Sequence, residues 1–178
     1  MIKGFTGEYA FLSNAYPCVL KYERRSYRSA EHAFHACRVA DQGLVAAIRR
    51  APTAGSARLL AKQAAEHPDW ANRQLEAMRG ILQAKFSPRS ALAKMLMATA
   101  RSVLIHQSED GFWGKPGRNM LGILLMETRE WLRNQPIILS KTLTRNEEVG
   151  HDVVDSRAKA QTRGRPAKRA RKNVPTGN

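Results

Sequence analysis

The sequence predicts a helix-rich α+β fold: a single domain over residues 1–135, a linker over 136–155 and a disordered basic tail over 156–178. β-Forming residues and turn signals concentrate in the first 28 residues, whereas apolar residues recur at helical spacing from there to residue 133. After Pro136, apolar residues become sparse, so burial cannot offset the entropy of ordering the chain. A chain of 178 residues seldom holds two independent cores.

Short strands and loops are expected at the N-terminus. β-Forming residues occupy positions 9–12 and 18–22, and the turn-prone Ser13, Asn14 and Pro17 separate them. We therefore expect two short strands before residue 28.

Helices dominate the rest of the predicted domain. Ser29 can cap a helix over residues 30–39, and a second helix is expected over 43–50, before the break at Pro52. Pro68 suits the first turn of the clearest helix, because the apolar residues after it fill one helical face. These residues are Trp70, Leu75, Met78, Ile81, Leu82 and Phe86.

Three further elements follow this helix. Ser87-Pro88 is expected to begin another helix, and a short β-like run covers residues 102–106. Glycines and Pro116 interrupt regular structure over 111–117. Helical periodicity then resumes over residues 120–133 and closes the domain.

The net charge of +15 indicates an anionic partner. Residues 156–178 hold eight Lys or Arg and no Asp or Glu, and residues 1–136 carry +9. Both parts of the chain are therefore cationic, as expected for a protein that binds a phosphate, a phosphorylated nucleotide or a polyanion. The alternative is that the basic surface only aids solubility.

From other sequence features we expect neither a membrane-spanning nor a secreted protein. No apolar run is long enough to span a bilayer, and the first ten residues lack the pattern of a secretory signal. The two cysteines, Cys18 and Cys37, are too few for a disulfide framework. We expect a cytoplasmic protein with reduced thiols.

The first candidate site lies in the helix predicted over residues 30–39. Glu31, His35 and Arg38 fall at helical spacings and can share one face, although Glu31 there also complements the helix dipole. Histidines and Cys37 are metal-ligand types, but no CxxC or HExxH pattern accompanies them. We predict no metal and no cofactor.

The second candidate site is the glycine-rich loop over residues 110–119. Glycines let backbone N–H groups approach a phosphate, and Trp113 offers a flat face to a base. Asp110 adds a carboxylate to the same loop. The alternative is a simple turn with a tryptophan in the core.

Several segments occur in the order seen in the NADAR (YbiA-like) family, and this resemblance covers roughly residues 5–133. The matching segments are Phe11-Leu12-Ser13-Asn14, Glu31-His32-Ala33-Phe34, Trp70, Lys85-Phe86, Asp110-Gly111-Phe112-Trp113-Gly114, Asn119-Met120-Leu121-Gly122 and Leu125-Met126-Glu127-Thr128-Arg129. The resemblance implies an α+β domain that acts on the N-glycosidic bond between ribose and a base. Two activities are associated with the family: hydrolysis of phosphoribosylamino-pyrimidine intermediates of riboflavin synthesis, and removal of ADP-ribose from modified guanine in nucleic acid.

Breaking a ribose C1′–N bond requires groups that stabilise a cationic sugar and move a proton. Paired carboxylates do this in glycoside hydrolases, and we predict Glu31 and Asp110 as the pair. The resemblance implies instead a lysine that attacks C1′ and holds the opened sugar as a Schiff base. At that position this chain carries Arg38, whose guanidinium binds anions but is a poor imine-forming nucleophile.

The full set of predicted site residues follows from these motifs. Glu31, Asp110 and Arg38 are the predicted catalytic residues. The predicted substrate-binding residues are Trp113, Asn119, Arg118, Lys85, Asn14 and His35.

Three outcomes are open at this stage: direct hydrolysis by the two carboxylates, which we favour, a covalent role for Lys85, or ADP-ribose or nucleic-acid binding without turnover. A second departure from the family also leaves the substrate open. Relatives often read Leu-Val-Glu where this chain reads Leu104-Ile105-His106, and the loop from Gly114 to Asn119 is shorter than in some relatives.

The basic tail contains a short DNA-binding pattern. Arg163-Gly164-Arg165-Pro166 resembles the core of an AT-hook, in which an extended peptide enters the narrow minor groove of A·T-rich DNA. A generic basic tail that touches phosphates without reading sequence explains the charge equally well. We expect residues 156–178 to contact DNA in either case.

Overall fold

The computed structural model describes residues 1–135, which belong to the first compact unit of the chain, Met1–Ile137. The predicted linker over 136–155 and basic tail over 156–178 lie outside the described residues. The helix-rich α+β class is confirmed, because residues 1–135 contain six α-helices and two small two-stranded sheets. No helix of the described residues is long and apolar enough to cross a bilayer.

The elements follow one another as the sequence mostly predicts. The strands are β1 (Ile2–Lys3), β2 (Leu20–Tyr22), β3 (Arg25–Tyr27) and β4 (Leu104–Ile105). The helices are α1 (Ala30–Arg38), α2 (Gln42–Arg50), α3 (Ala54–Lys62), α4 (Trp70–Lys85), α5 (Ala91–Ala98) and α6 (Met120–Arg133).

The predicted strand over residues 9–12 is wrong, because Gly7–Leu12 forms a 3-10 helix. Phe11 and Leu12 are neighbours in the chain and both are buried. A helical turn directs two consecutive side chains into one core, whereas a strand directs them to opposite faces.

Caps fix the start of most helices. The Ser29 side chain accepts a hydrogen bond from the His32 backbone N–H and starts α1 as predicted. The predicted start of α5 at Ser87-Pro88 is wrong: Arg89 has a left-handed φ of 70°, and Ser90 caps the helix instead. The start of α4 is also later than predicted, because Pro68 precedes its first turn.

The two sheets connect distant parts of the chain. β1 pairs in parallel with β4, with Ile2 opposite Leu104, while β2 and β3 form an antiparallel hairpin. The hairpin packs on α4 so closely that a Cβ at Gly80 would lie 2.7 Å from the Tyr22 ring. A larger residue at position 80 would therefore force the Tyr22 ring to shift.

The core lies between α4, α6 and α1. α1 packs against α2, α3 and α4, and α6 packs against α4, α5 and β4. The largest fully buried side chains are Phe86, Leu12, Ile48, Met78, Ile81, Leu82, Leu96, Leu104, Leu121, Leu124 and Leu125, with Thr128. This packing brings α1, α3, the start of α4 and the loop after β4 around one cleft.

Candidate active site

The cleft has a volume of about 520 Å³ and contains six of the nine predicted site residues. They are Asn14, Glu31, His35, Arg38, Asp110 and Trp113. Its other lining residues are Phe34, Arg58, Lys62, Glu66, Trp70, Ala71, Gln74, Met78, His106, Ser108 and Leu121. A cleft of this size suits a small molecule or a nucleotide.

Glu31 projects from the first turn of α1 with one carboxylate oxygen held. His35 lies one turn later, and its Nε2 donates to Glu31 Oε1 at 3.1 Å. The backbone N–H of Glu31 donates to the carbonyl of Asn14 at 2.9 Å, which ties α1 to the loop before it. Glu31 Oε2 has no hydrogen-bond partner among the described residues, so it is available to a ligand.

Asp110, in the loop after β4, also has one carboxylate oxygen held by the protein. Its Oδ1 accepts from the backbone N–H groups of Phe112 at 2.9 Å and Trp113 at 3.0 Å. These two bonds orient the carboxylate and the start of the loop together. Asp110 Oδ2 makes no hydrogen bond within residues 1–135, so a second carboxylate oxygen is available in the cleft.

Arg38 is already paired in this structure. Its Nε and one terminal nitrogen contact Glu66 Oε1 at 2.8 and 2.6 Å. The backbone supports this pair, because Val39 forms a bridge with Glu66 and His67 donates to the Arg38 carbonyl. The ion pair fixes the guanidinium at the rim of the cleft.

Aromatic rings form one wall of the cleft. Phe34 contacts Trp70 and Trp113 edge to face, with ring centroids 5.0 and 5.2 Å apart. Phe112 braces the far side of Trp113 at 5.0 Å. Such a cluster holds the indole rigidly, which suits a surface that receives a planar base.

Two cations face the cleft from α3. Arg58 and Lys62 are four residues apart, so they lie one above the other on the same helix face. Neither forms an ion pair with another described residue. Their charges are therefore available to an anionic ligand.

Three occluded polar atoms belong to residues that line this cleft. Asn14 Oδ1, His35 Nδ1 and His106 Nδ1 have no hydrogen-bond partner among the described residues. Asn14 Nδ2 makes only a weak bond, to the sulfur of Met78 at 3.6 Å. Unsatisfied buried polar atoms are rare in proteins, but these three are occluded, so a ligand would have to contact other atoms of the same side chains.

His106 lines the same cleft as Glu31 and Asp110. Burial lowers the pKa of His106, and the negative charges of Glu31 and Asp110 raise it by a smaller amount. Its backbone N–H donates to Asn119 Oδ1 at 2.9 Å.

Three predicted site residues do not line the cleft. Asn119 is buried in the loop, where its amide donates to the Leu104 carbonyl at 3.0 Å and its oxygen holds His106. Arg118 is exposed, with its guanidinium 5.7 Å from the centre of the Phe112 ring. Asn119 therefore shapes the loop.

Lys85 lies beneath the cleft. It is buried, and its amine donates to the Ser13 carbonyl at 2.6 Å, next to Asn14. Burial lowers the pKa of Lys85 to about 8, and the neighbouring Cys18 raises it slightly. This contact supports the loop that carries Asn14.

The sequence did not single out Arg58, Lys62 or Glu66, and it noted His106 only as a departure from the family. The i,i+4 spacing of Arg58 and Lys62 was visible, but such pairs are common on solvated helix faces. Only the packing of α3 against α1 turns that face toward Glu31. In residues 1–135, no group of three or more His, Cys, Asp or Glu could hold a metal ion.

Comparison with known proteins places this geometry in a family. The chain is 36% identical over 132 residues to a riboflavin biosynthesis protein of Vibrio vulnificus, a match that covers 70% of this chain and 36% of that protein. It is 31% identical over 132 residues to N-glycosidase YbiA of Escherichia coli, covering 70% of this chain and 82% of YbiA. The chain thus spans about a third of the Vibrio protein and most of YbiA.

The structural comparison agrees with the sequence comparison. The NMR structure of E. coli YbiA matches with a TM-score of 0.68 at 29% identity, over 74% of this chain and 84% of that one. The family model described as the NADAR domain matches residues 4–133. The chain therefore belongs to the NADAR family, as its motifs predicted.

Proposed function

We propose that this protein is an N-glycosidase that hydrolyses the bond between ribose C1′ and the nitrogen of a base. The observation that carries the proposal is the pair of oriented carboxylates, Glu31 and Asp110, on one aromatic-walled cleft. Each has one oxygen held by the protein and the other available. The names of the relatives as N-glycosidases support the same chemistry.

In this mechanism water replaces the base at C1′. The C1′–N bond breaks with its electron pair on the base, and positive charge develops on the sugar ring. The carboxylate of Asp110 stabilises that charge. Glu31 accepts a proton from the attacking water, the water oxygen bonds to C1′, and the proton passes on to the base nitrogen.

The remaining cleft residues bind and orient the substrate. The Trp113 face stacks on the base, and the cations of α3 bind phosphate on the sugar. Arg38, held by Glu66, contributes charge at the rim rather than a nucleophile. Asn14 and His35 position Glu31, the first through its backbone carbonyl and the second through Nε2.

Direct hydrolysis fits these residues better than a covalent role for Lys85. The Lys85 amine is buried and donates to Ser13, and Lys85 does not line the cleft. Lys62 does line the cleft, so it is the lysine to test for an imine. Borohydride added during turnover should leave the protein mass unchanged under direct hydrolysis, whereas a sugar adduct lost in Lys62→Gln would establish the covalent route.

The central experiment measures released sugar from ADP-ribosyl-guanine DNA and from the phosphoribosylamino-pyrimidine intermediate. Glu31→Gln keeps the acceptor for His35 but removes the base, so at least a 100-fold loss of kcat is expected. Asp110→Asn should cause a comparable loss. Glu130→Gln is the matched control, because Glu130 is an exposed carboxylate away from the cleft.

The result of this assay distinguishes an N-glycosidase from a module that binds its ligand without turnover. Release of sugar from either substrate by the wild type, with loss in both cleft variants, supports hydrolysis and names the substrate. Absence of release from both, with ADP-ribose binding intact, would leave the binding module instead. We further propose that residues 156–178 bind DNA, which favours the nucleic-acid substrate.

A further inference from the structure

The ring of His106 is held firmly against the cleft. His106 follows β4 directly, and its ring stacks on the Phe5 ring with centroids 5.3 Å apart and planes at 21°. Asn119 holds its backbone from the other side. A side chain fixed by stacking and by its backbone is preorganised for one contact.

The two ring nitrogens of His106 differ in their surroundings. Nδ1 is occluded and has no hydrogen-bond partner among the described residues. Nε2 also makes no bond within residues 1–135, but it is not among the occluded atoms. Since His106 lines the cleft, Nε2 is the nitrogen that a ligand can reach.

This difference decides where the ring carries its proton. A proton on Nδ1 would be a buried donor without an acceptor, and such donors are rarer in proteins than unsatisfied acceptors. A neutral imidazole has one N–H, so the proton lies on Nε2. The lowered pKa of His106 agrees, because the charged ring would need an N–H at both positions.

Charged neighbours do not change this assignment. Glu31 of α1 and Asp110 of the loop both favour the protonated ring, but burial is the larger effect. From the β1 side the ring meets Phe5, which carries no charge. His106 is therefore a neutral donor whose N–H faces the cleft.

We propose that His106 binds the leaving base, donating from Nε2 to a carbonyl oxygen on that base. The inference rests on the proposed function and assigns His106 the role of positioning the base. When the C1′–N bond breaks, its electron pair delocalises onto that oxygen, so the hydrogen bond strengthens in the transition state. A carboxylate at this position would accept from an amino group instead.

A first experiment tests the donor without requiring turnover. The full chain is labelled with ¹⁵N-histidine, and the His106 tautomer is read from long-range ¹H–¹⁵N spectra at pH 7. We expect the neutral Nε2–H form. Guanosine monophosphate should shift the Nε2 resonances, whereas adenosine monophosphate, which has an amino group in place of the carbonyl, should not. A proton on Nδ1, or equal shifts with both nucleotides, would overturn the proposal.

A second experiment uses the hydrolysis assay. His106→Gln keeps a neutral N–H donor and should retain kcat within about fivefold, whereas His106→Glu places an acceptor there and should lose about 100-fold. His67→Gln, outside the cleft, is the matched control. Equal losses in the two His106 variants would contradict the donor role. If the wild type releases no sugar at all, the proposed hydrolysis fails while the spectra still decide the role of His106.

Discussion

Replacing Asn119 should destabilise the domain more than its position on a surface loop implies. The Asn119 side chain makes two hydrogen bonds, one to the His106 backbone N–H and one to the Leu104 carbonyl, and its φ of 59° is left-handed. Asn119→Ala leaves both backbone groups unpaired, at about 1–1.5 kcal/mol each, and places alanine in a left-handed conformation for about 1 kcal/mol more. We expect a loss of about 3–4 kcal/mol in the free energy of unfolding.

Two variants separate the contributions. Asn119→Gly tolerates the left-handed conformation but loses both side-chain hydrogen bonds, so a loss of about 2–3 kcal/mol is expected. Asn72→Ala is the control, because Asn72 is exposed and bonds only to Asp69; it should change stability by less than about 0.5 kcal/mol.

The measurement is urea unfolding followed by tryptophan fluorescence, with m-values compared across the variants. A loss below about 1 kcal/mol for Asn119→Ala at unchanged m would refute the reasoning. It would mean that water replaces the amide at Leu104 and His106 without cost. Equal losses for the alanine and glycine variants would refute the assignment of a separate cost to the left-handed conformation.

The remaining predictions concern the buried lysine, the aromatic wall and the tail. The pKa of Lys85 falls to about 8 in the folded state, so the unfolded state binds more protons between about pH 8 and 10.5 and stability should rise by about 3 kcal/mol across that range. Lys85→Met should remove that rise. Trp113→Ala should raise KM about 10- to 100-fold, and Trp113→Phe less, because stacking on a base contributes about 1–3 kcal/mol. Deleting residues 156–178 should weaken duplex DNA binding and flatten its salt dependence.

Each of these measurements has its own internal check. Burial raises the pKa of Cys37 and of Tyr22 to about 12, and both shifts lower stability as the pH rises. The contribution of Lys85 is therefore obtained as the difference in stability between the wild type and Lys85→Met. An identical pH profile in the two proteins would contradict the prediction. An unchanged KM in both Trp113 variants would exclude stacking, and an unchanged salt slope would exclude a nucleic-acid role for the tail.

Local signals in the sequence predicted five of the six α-helices of residues 1–135, all except α3. Ser29 caps α1 where expected, and the apolar face from Trp70 to Phe86 corresponds to a helix. The 3-10 helix and the start of α5 were missed because they depend on which side chains the core accepts and on a left-handed Arg89. Propensity does not report such tertiary effects.

The sequence predicted those residues of the cleft that belong to family motifs. Glu31, Asp110 and Trp113 meet on one cleft because their motifs lie on α1 and on the loop that packs against it. Asn119 belongs to the same motifs, yet its side chain holds the loop backbone. The sequence does not distinguish a motif residue that positions other residues from one that binds ligand. The hydrogen bonds in the structure make that distinction. Arg58 and Lys62 join the cleft only through helix packing, which no local pattern encodes.

The parallel pairing of β1 with β4 sets the order in which the protein can assemble. Ile2 and Leu104 lie about a hundred residues apart in the chain, so β1 can pair only after the residues between the two strands have been made. Closing so long a loop costs chain entropy before any contact offsets it, whereas α1, α2 and α3 pack between near neighbours. We expect the helical side of the cleft to form early. The stack of Phe5 on His106 should form late, so the cleft is complete only when nearly the whole domain has been made.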